Sequence, residues 1–252
     1  MKPWLLGLLL LGSIPPIAAK DNKIQAREIL DRIDDIWRGQ SSHSTFSMEI
    51  VSTHWRRKLK MQNYSLGKDY SLIIIEQPKK EKGTATLKIK NDIWNYLPKT
   101  DRTIKLPPSM LLAQWMGSHF TNDDLVKDSR MADDYDYDIT FEGDRQGRKI
   151  YEITLIPKAA AAVVWGKIVV EVEQKELMPL RQVYYDENGN KARQSEFADF
   201  KMMDGKLIPC RMTITPVDKP GESTTVITDH IDFDIGITPA FFSLQQIRQQ
   251  RP

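Results

Sequence analysis

The sequence predicts a mainly β protein with covering helices. About a dozen short segments alternate apolar with polar residues, which is the pattern of a strand with one covered face. Turn-forming stretches such as Gly67-Lys68-Asp69, Gln146-Gly147 and Asn188-Gly189 lie between many of these segments. Helical signals are confined to the N-terminal part and to one internal stretch. This order favours sequential antiparallel strands in one sheet or barrel over alternating β-α units.

Residues 1–19 have the features of a cleaved secretory signal peptide. One Lys stands near the start, an apolar run covers Trp4–Leu11, Pro15-Pro16 follows, and small residues end the stretch at Ala18-Ala19. A transmembrane anchor is the alternative, but the apolar run is much shorter than the roughly 20 residues that a bilayer requires. No Cys follows the run, which argues against a lipid anchor. We therefore expect an exported protein whose residues 20–252 form a single domain.

The first segment after this signal predicts an amphipathic helix. Its apolar residues recur at the i, i+3, i+4, i+7 spacing of one helix face and are Ala26, Ile29, Leu30, Ile33, Ile36 and Trp37. Asp21 or Asn22 can cap the start of the helix, and Gly39 can end it.

After Gly39 the hydrophobic period changes to two, and strands are expected. The segments are STFSMEIV, the Leu59/Met61 stretch, DYSLIIIEQ, the Ala85/Leu87/Ile89 stretch, DIWNYLP, Thr103–Leu106, YDYDITF, the Tyr151/Ile153/Leu155 stretch, KIVVEVEQ, LRQVYYDE, ARQSEFADF, LIPCRMTITP and TTVITDHIDFD.

One stretch interrupts the strands. Pro107-Pro108 breaks the strand pattern, Ser109 can cap a helix over Met110–Met116, and Thr121-Asn122 can cap another through Val126. The first of these helices is so apolar that it must cover something. We interpret this stretch, together with the N-terminal helix, as lids over one face of a curved sheet.

Composition excludes several classes of protein. The 252 residues carry 36 Lys+Arg against 34 Asp+Glu, so the net charge of +2 lacks the basic excess of a nucleic-acid binder. Cys210 is the one cysteine, which excludes an intramolecular disulfide. A hydrophobic content of 40% is ample for a packed core and far from the composition of disordered chains.

No motif for catalysis or metal binding is found. His43, His54, His119 and His230 lack metal-site spacing, and neither H-E-x-x-H, G-x-S-x-G nor a phosphate-binding glycine loop occurs. Cys210 lies in an alternating strand, where a buried hydrophobe is favoured over a reactive thiol. The aspartates between residues 123 and 138 do not follow the order of a calcium loop. We expect no enzyme activity, no metal and no cofactor.

Two features leave alternatives open. Residues 50–68 contain no acid but several Lys and Arg, which suits either contact with acidic surfaces or anionic lipid headgroups, or a plain solvated strand edge. Nine Met and five Trp remain after the signal peptide is removed, and their flexible or broad side chains suit a wall for variable apolar ligands. Met is also common as core filler.

The order of these features resembles LolA, the periplasmic lipoprotein carrier, and its superfamily. The resemblance lies in STFSMEI, in KNDIWNYLPKTDRTIKL and in YEITLIPK, within which Asn91–Pro98 and Leu155–Lys158 match recurrent strand motifs. The stretches WMGSHFTNDDLVKDS, AAVVWGKIVVEV and YYDENG resemble the subgroup of outer-membrane lipoprotein-sorting proteins. One departure is that the region KLKMQNYSLGKDYSLIII lacks the R-P element that carries the functional arginine of the carrier.

The resemblance implies an incomplete antiparallel β-barrel, closed by helices, that encloses a hydrophobic cavity. It implies a monomeric periplasmic carrier that takes an acylated lipoprotein or lipid from an inner-membrane exporter to an outer-membrane acceptor, without cofactor, catalysis or nucleic acid. A lipid or lipoprotein sensor, or an accessory subunit of an exporter, is the alternative.

We assign the cavity wall and lid on this basis, although both faces of Leu72–Ile75 are apolar and leave their orientation open. The expected wall residues are Phe46, Met48, Ile50, Leu59, Met61, Leu72, Ile74, Leu87, Ile89, Trp94, Tyr96, Ile153 and Leu155, and the expected lid residues are Met110, Leu111, Trp115 and Met116.

Overall fold

A single 13-stranded antiparallel sheet forms the body of the computed structural model, which describes residues 17–127, 131–159, 161 and 163–248. Residues 1–16 of the predicted signal peptide lie outside the described residues. The strands are β1 Ser41–Val51, β2 Arg56–Leu66, β3 Tyr70–Gln77, β4 Ala85–Ile89, β5 Asp92–Leu97, β6 Arg102–Lys105, β7 Tyr135–Arg145, β8 Arg148–Pro157, β9 Lys167–Glu173, β10 Pro179–Tyr185, β11 Lys191–Met203, β12 Lys206–Pro216 and β13 Ser223–Phe233.

The strand order is β6-β5-β4-β3-β2-β1-β13-β12-β11-β10-β9-β8-β7, so every strand except β1 and β13 neighbours only its predecessor or successor along the chain. Among the described strands β6 and β7 form the two edges and do not pair with each other, which leaves the sheet open. The expectation of a mainly β fold built on an incomplete antiparallel barrel is confirmed.

The sheet curls around its N-terminal helix, α1 (Ile17–Asp35). Arg27 Nη2 lies 3.0 Å from Asp133 Oδ1, just before edge strand β7. One helical turn later, Asp31 Oδ1 lies 3.7 Å from Nζ of Lys68 in the turn between β2 and β3. Strands β2 and β7 are eight steps apart in the sheet, or about 38 Å if the sheet were flat. One helical turn of α1 bridges the two, so the sheet must curve.

The chain crosses from edge to edge through residues 107–127, here called the lid segment, and through α3 (Met131–Asp134). The predicted second helix is present as α2 (Asn122–Lys127), but the prediction of a helix over Met110–Met116 is wrong. Short 3-10 turns at Pro108–Met110 and Trp115–Gly117 stand there instead. The Asn122 side chain donates to the carbonyls of Met110 (3.0 Å) and Ala113 (3.1 Å), which replaces the amides that a helix would supply.

Three clusters of buried apolar residues hold the sheet and its covers together. The largest lies between α1 and strands β7–β13, and a second lies between β1–β3 and the lid segment. The third lies on the opposite face, where Phe242 and Ile247 of the C-terminal segment cover β3–β5. We call the face covered by α1 and the lid segment the inner face, and the other the outer face. The C-terminal helix α4 (Leu244–Arg248) was not predicted.

Candidate ligand cavity

An apolar cavity of about 190 Å³ lies on the inner face between α1, the lid segment and the strands. Trp37 and Ile33 contribute from α1 and its end, Phe46 from β1, Phe197 from β11 and Phe120 from the lid segment. Its full lining is Ile33, Asp34, Trp37, Arg38, Ser44, Phe46, Phe120, Asp124, Met131, Gln182, Tyr184, Arg193, Ser195, Phe197, Pro209, Met212, Ile214, Val226 and Thr228. The lining therefore comes from α1 and its end, β1, β10–β13, the lid segment and α3, and we call this space the apolar cavity.

A second space of about 190 Å³ lies beside it, which we call the polar cavity. Its lining is Trp37, Arg38, Asn63, Ser65, Gly67, Lys68, Tyr70, Ser71, Ile73, Thr86, Lys88, Phe120, Asp124 and Leu125. Trp37, Arg38, Phe120 and Asp124 line both spaces, so the two cavities adjoin under α1 and the lid segment.

A buried ion pair fastens the lid segment over the apolar cavity. Arg193 of β11 donates to both oxygens of Asp124, at 2.6 and 2.7 Å, and its Nη1 also donates to the carbonyl of His119 at 3.0 Å. The two side chains are only 7% and 8% exposed. The guanidinium also stacks on the rings of Trp165 and Tyr184, at 4.7 and 4.3 Å from their centroids. Removal of one member of such a pair leaves a buried charge without its counterion.

His119 anchors the same segment to the end of the barrel. Its Nδ1 lies 2.8 Å from Thr224 Oγ1 and its Nε2 lies 3.2 Å from Glu222 Oε2. Glu222 also accepts hydrogen bonds from Thr53 and Ser52, and these bonds, led by that of the Thr53 hydroxyl, lower its pKa to about 2. Thr224, His119 and Glu222 are arranged like the nucleophile, base and acid of a catalytic triad. However, the side chain of Thr224 is 0% exposed, which argues against its acting as a nucleophile. We interpret the contacts of His119 with Thr224 and Glu222 as attachment of the lid segment.

Trp115 anchors the middle of the lid segment. Its ring is buried against Met48, Leu59 and Met61 on the inner face, and its Nε1 donates to Thr86 Oγ1 at 3.2 Å. Arg57 of β2 donates to the carbonyl of Met116 at 2.6 Å. The lid segment is thus held by apolar packing at Trp115 and by ionic hydrogen bonds at Asp124.

The structure divides the predicted wall residues between the two faces of the sheet. Phe46 lines the apolar cavity itself. Met48, Ile50, Leu59 and Met61 lie on the inner face beneath Trp115, and Ile153 and Leu155 pack in the cluster that contains α1. Six others lie on the outer face and do not meet these: Leu72, Ile74, Leu87, Ile89, Trp94 and Tyr96.

The β2–β3 register explains this division. Met61 pairs with Ile75 after an irregularity at Lys60/Met61, whereas Tyr64 pairs with Leu72. Paired residues share a face, so Ile73 and Ile75 point inward and Leu72 and Ile74 outward. Of the predicted lid residues, Trp115 is buried, Met116 packs partly against the inner face, Leu111 is half-buried and Met110 is 46% exposed.

The expected wall residues include none from β10 and β11, although side chains of both strands line the cavity. Tyr184 and Arg193 face each other in register, and Ser195 and Phe197 follow at alternate positions. The alternation in ARQSEFADF contained this signal: an arginine occupies a position of the covered face, where a polar group requires a specific partner.

Comparisons with known proteins find a matching family model and solved structures with a similar fold. A family model described as "Uncharacterized protein" matches residues 67–249. No curated protein matches the chain. Among solved structures, a DUF1329 family protein from Desulfovibrio piger is 24% identical with a TM-score of 0.80, over 90% of this chain and 99% of that one.

Two further solved structures have similar folds. A putative outer membrane lipoprotein-sorting protein domain from Vibrio parahaemolyticus is 23% identical with a TM-score of 0.77, covering 90% of this chain and 100% of that one. A LolA superfamily protein from Nitrosomonas europaea is 20% identical with a TM-score of 0.74, covering 88% and 98%. The fold is therefore LolA-like.

Proposed function

The chain belongs to the family described as "Uncharacterized protein", since the model of that family matches residues 67–249 of this chain, and we propose a function for it. The proposed function is that of a periplasmic carrier that shelters the acyl chains of lipoproteins or other lipids on their way to the outer membrane. The observation that carries this proposal is the apolar cavity that lies between the curled sheet and a fastened lid segment. The signal-like N-terminal sequence and the LolA-like fold support it. In the described part of the chain, no helix is long and apolar enough to cross a membrane.

The energetics of acyl chains favour an enclosed site. Each CH₂ group exposed to water costs about 0.8 kcal/mol, so a long chain crosses an aqueous compartment only inside an apolar shelter. The cavity wall combines the aromatic side chains of Trp37 and Phe197 with Met131 and Met212. Methionine side chains adapt to variable apolar shapes, which suits ligands of differing length.

The cavity is small as it stands. Its volume of about 190 Å³ resembles that of an engineered cavity that holds one benzene molecule, and ligand pockets usually measure about 300–1,000 Å³. A long acyl chain therefore enters only after the lid segment moves away from β11. The ion pair between Arg193 and Asp124 joins β11 to the lid segment and must break during this movement. We therefore assign the pair the role of a latch.

Native mass spectrometry of the protein, gently purified from the periplasm, tests the carrier role. We expect bound acylated ligand in the native protein and a large loss of it in Ser195→Phe, because Ser195 lines the cavity and the new ring fills it. Ser47→Phe, on the outer face beside Asp229, is the matched control. A native protein that never retains or binds an acylated ligand overturns the proposal. Transfer between donor and acceptor membrane vesicles then separates a carrier from a sensor, since a sensor binds without transfer.

A further inference from the structure

We propose that the end of the sheet to which the lid segment is attached docks on an anionic lipid surface. The proposal concerns residues 52–58 at the β1–β2 turn, 78–84 at the β3–β4 turn and 97–102 at the β5–β6 turn, which we call the basic end. It goes beyond the proposed function, which names a ligand but not the surface on which the protein collects or releases it.

The strand order brings these three turns together. Strands β1 to β6 follow one another across the sheet, and each strand is antiparallel to the next. Because direction alternates, every second turn lies at the same end of the sheet. Charges that are far apart in the sequence therefore share one surface, while the β2–β3 and β4–β5 turns lie at the opposite end.

The basic end has an excess of positive charge that the whole chain lacks. It contains eight Lys and Arg against two acids, whereas the chain contains 36 against 34, which leaves 28 against 32 elsewhere. Both acids already have partners within the fold. Glu81 pairs with Arg57. Asp101 accepts a hydrogen bond from the Tyr96 hydroxyl at 3.1 Å. The charge that this end presents to solvent is therefore positive and complementary to an anionic surface.

Most cations of the basic end are available to an external partner. Four are exposed and belong to no ion pair among the described residues: Arg56, Lys79, Lys99 and Arg102. Two further lysines form only long ion pairs, Lys80 at 4.0 Å from Glu81 and Lys82 at 3.8 Å from Glu76. Exposed pairs of this kind contribute little to stability, so both ammonium groups can turn to a headgroup at small cost.

The position of β2 argues against a plain solvated strand edge as the reason for the basic stretch in residues 50–68. Charged side chains often protect an exposed sheet edge from pairing with another chain. However, β2 lies between β1 and β3 in the interior of the sheet, and the edges of the described sheet are β6 and β7. Arg56 and Lys58 therefore protect no edge, which favours the other interpretation, contact with an anionic surface.

Exposed apolar side chains stand among these cations and favour a lipid surface over an acidic protein. The amide of Ser52 donates to the carbonyl of Trp55 at 2.9 Å and closes the β1–β2 turn, and Trp55 is 44% exposed there. Leu97, before the β5–β6 turn, is 40% exposed. Tryptophan is enriched where membranes meet water, and basic surfaces with Trp and Leu side chains bind at the headgroup boundary.

The lid segment is attached to this same end of the sheet. Arg57 of β2 donates to the carbonyl of Met116 at 2.6 Å. The Thr53 hydroxyl donates to Glu222, whose other oxygen lies 3.2 Å from His119 Nε2. Docking of the basic end therefore brings a bilayer next to the segment that must move before an acyl chain can enter or leave.

Co-sedimentation of the mature protein with lipid vesicles tests this inference. The probes are vesicles of equal parts phosphatidylglycerol and phosphatidylcholine, and vesicles of phosphatidylcholine alone. We expect binding to the anionic vesicles to be tighter by at least about tenfold and to weaken as salt is added. Trp55→Ser should weaken this binding without abolishing its dependence on salt.

Two double variants with the same change of charge locate the surface. Removal of one cation near an anionic bilayer weakens binding by about fivefold, so Lys79→Gln with Lys99→Gln should weaken it by roughly 25-fold. Arg148→Gln with Lys149→Gln removes two exposed cations from the β7–β8 turn at the opposite end and should leave binding unchanged.

The outcomes separate this inference from the carrier proposal. Equal binding to the two kinds of vesicle, or equal losses in the two double variants, overturns the docking surface. Absence of binding to either vesicle also overturns it and leaves an acidic protein as the partner for this end. We expect the Lys79→Gln/Lys99→Gln protein to retain acylated ligand in native mass spectrometry while it loses vesicle binding. A native protein that binds anionic vesicles but never retains such a ligand overturns the carrier role and leaves the docking surface standing.

Discussion

Opening of the lid segment should depend on the ion pair between Arg193 and Asp124. Asp124→Asn removes the charge but keeps the side-chain volume and an oxygen that accepts from the Thr121 amide, as Asp124 does at 2.7 Å. The cap of α2 is therefore retained. The variant leaves the guanidinium of Arg193 buried beside a neutral amide. The change isolates the latch from the local structure of the lid segment.

The expected magnitude follows from burial. Because both side chains are less than a tenth exposed, loss of one member costs about 3–5 kcal/mol. One decade corresponds to about 1.36 kcal/mol, so opening should become more frequent by about two to four orders of magnitude, up to the limit set by global unfolding. The exposed pair Arg211–Asp199 gives a matched control, and Asp199→Asn should cost at most about 1 kcal/mol.

Native-state hydrogen exchange measures this opening at individual amides. The amide of His119 donates to Thr224 Oγ1 of β13, so its exchange reports separation of the lid segment from the sheet. In Asp124→Asn this amide should exchange much faster, while amides within β1 change less. Addition of Arg193→Met should partly restore protection, because the variant no longer buries an unpaired charge. A wild-type exchange rate at the His119 amide in Asp124→Asn would refute the latch.

Four other changes have defined outcomes. Because hydrogen bonds lower the pKa of Glu222 from 4.5 to about 2, its stabilising effect is present above pH 4.5 and is lost as the pH falls toward 2. Glu222→Gln should therefore lower the melting temperature at pH 6 but have little effect near pH 2. Trp115→Ala should lower the free energy of unfolding by about 3–5 kcal/mol in chemical denaturation, because it empties a buried site. Ile74→Ala and Ile75→Ala should each cost about 2–5 kcal/mol, but only Ile75, on the inner face, should alter ligand affinity; equal effects on affinity would contradict the assignment of faces. Burial raises the pKa of the Cys210 thiol, so alkylation at pH 7 should be slow in the native protein and fast after denaturation; rapid native labelling would contradict its burial.

The strands were predictable because apolar and polar residues alternate along them with a period of two. Phe46, Met48 and Ile50 alternate in the sequence and lie together on the inner face of β1. The N-terminal helix was equally predictable, since Ile29 and Ile33 repeat at helical spacing and are buried against the sheet. In both cases local pattern and tertiary burial agree, which is why the fold class followed from the sequence.

The faces of β3–β5 were not predictable in the same way. Residues 72–75 are apolar on both sides of the strand because both sides are covered, by the lid segment on one and by Phe242 on the other. Period alone contains no information about which cover belongs to which face. A register irregularity at Lys60/Met61 further sets the pairing with β2, and such irregularities have no reliable sequence signature.

The lid segment and its latch depend on contacts between distant parts of the chain. Met110–Met116 has helical apolar spacing, yet Asn122 takes the carbonyls of Met110 and Ala113. Arg193 meets Asp124 across 69 residues, and each alone reads as an ordinary surface charge. The sequence therefore indicated an apolar shelter, while the charged groups to which we assign its opening became visible only in the folded chain.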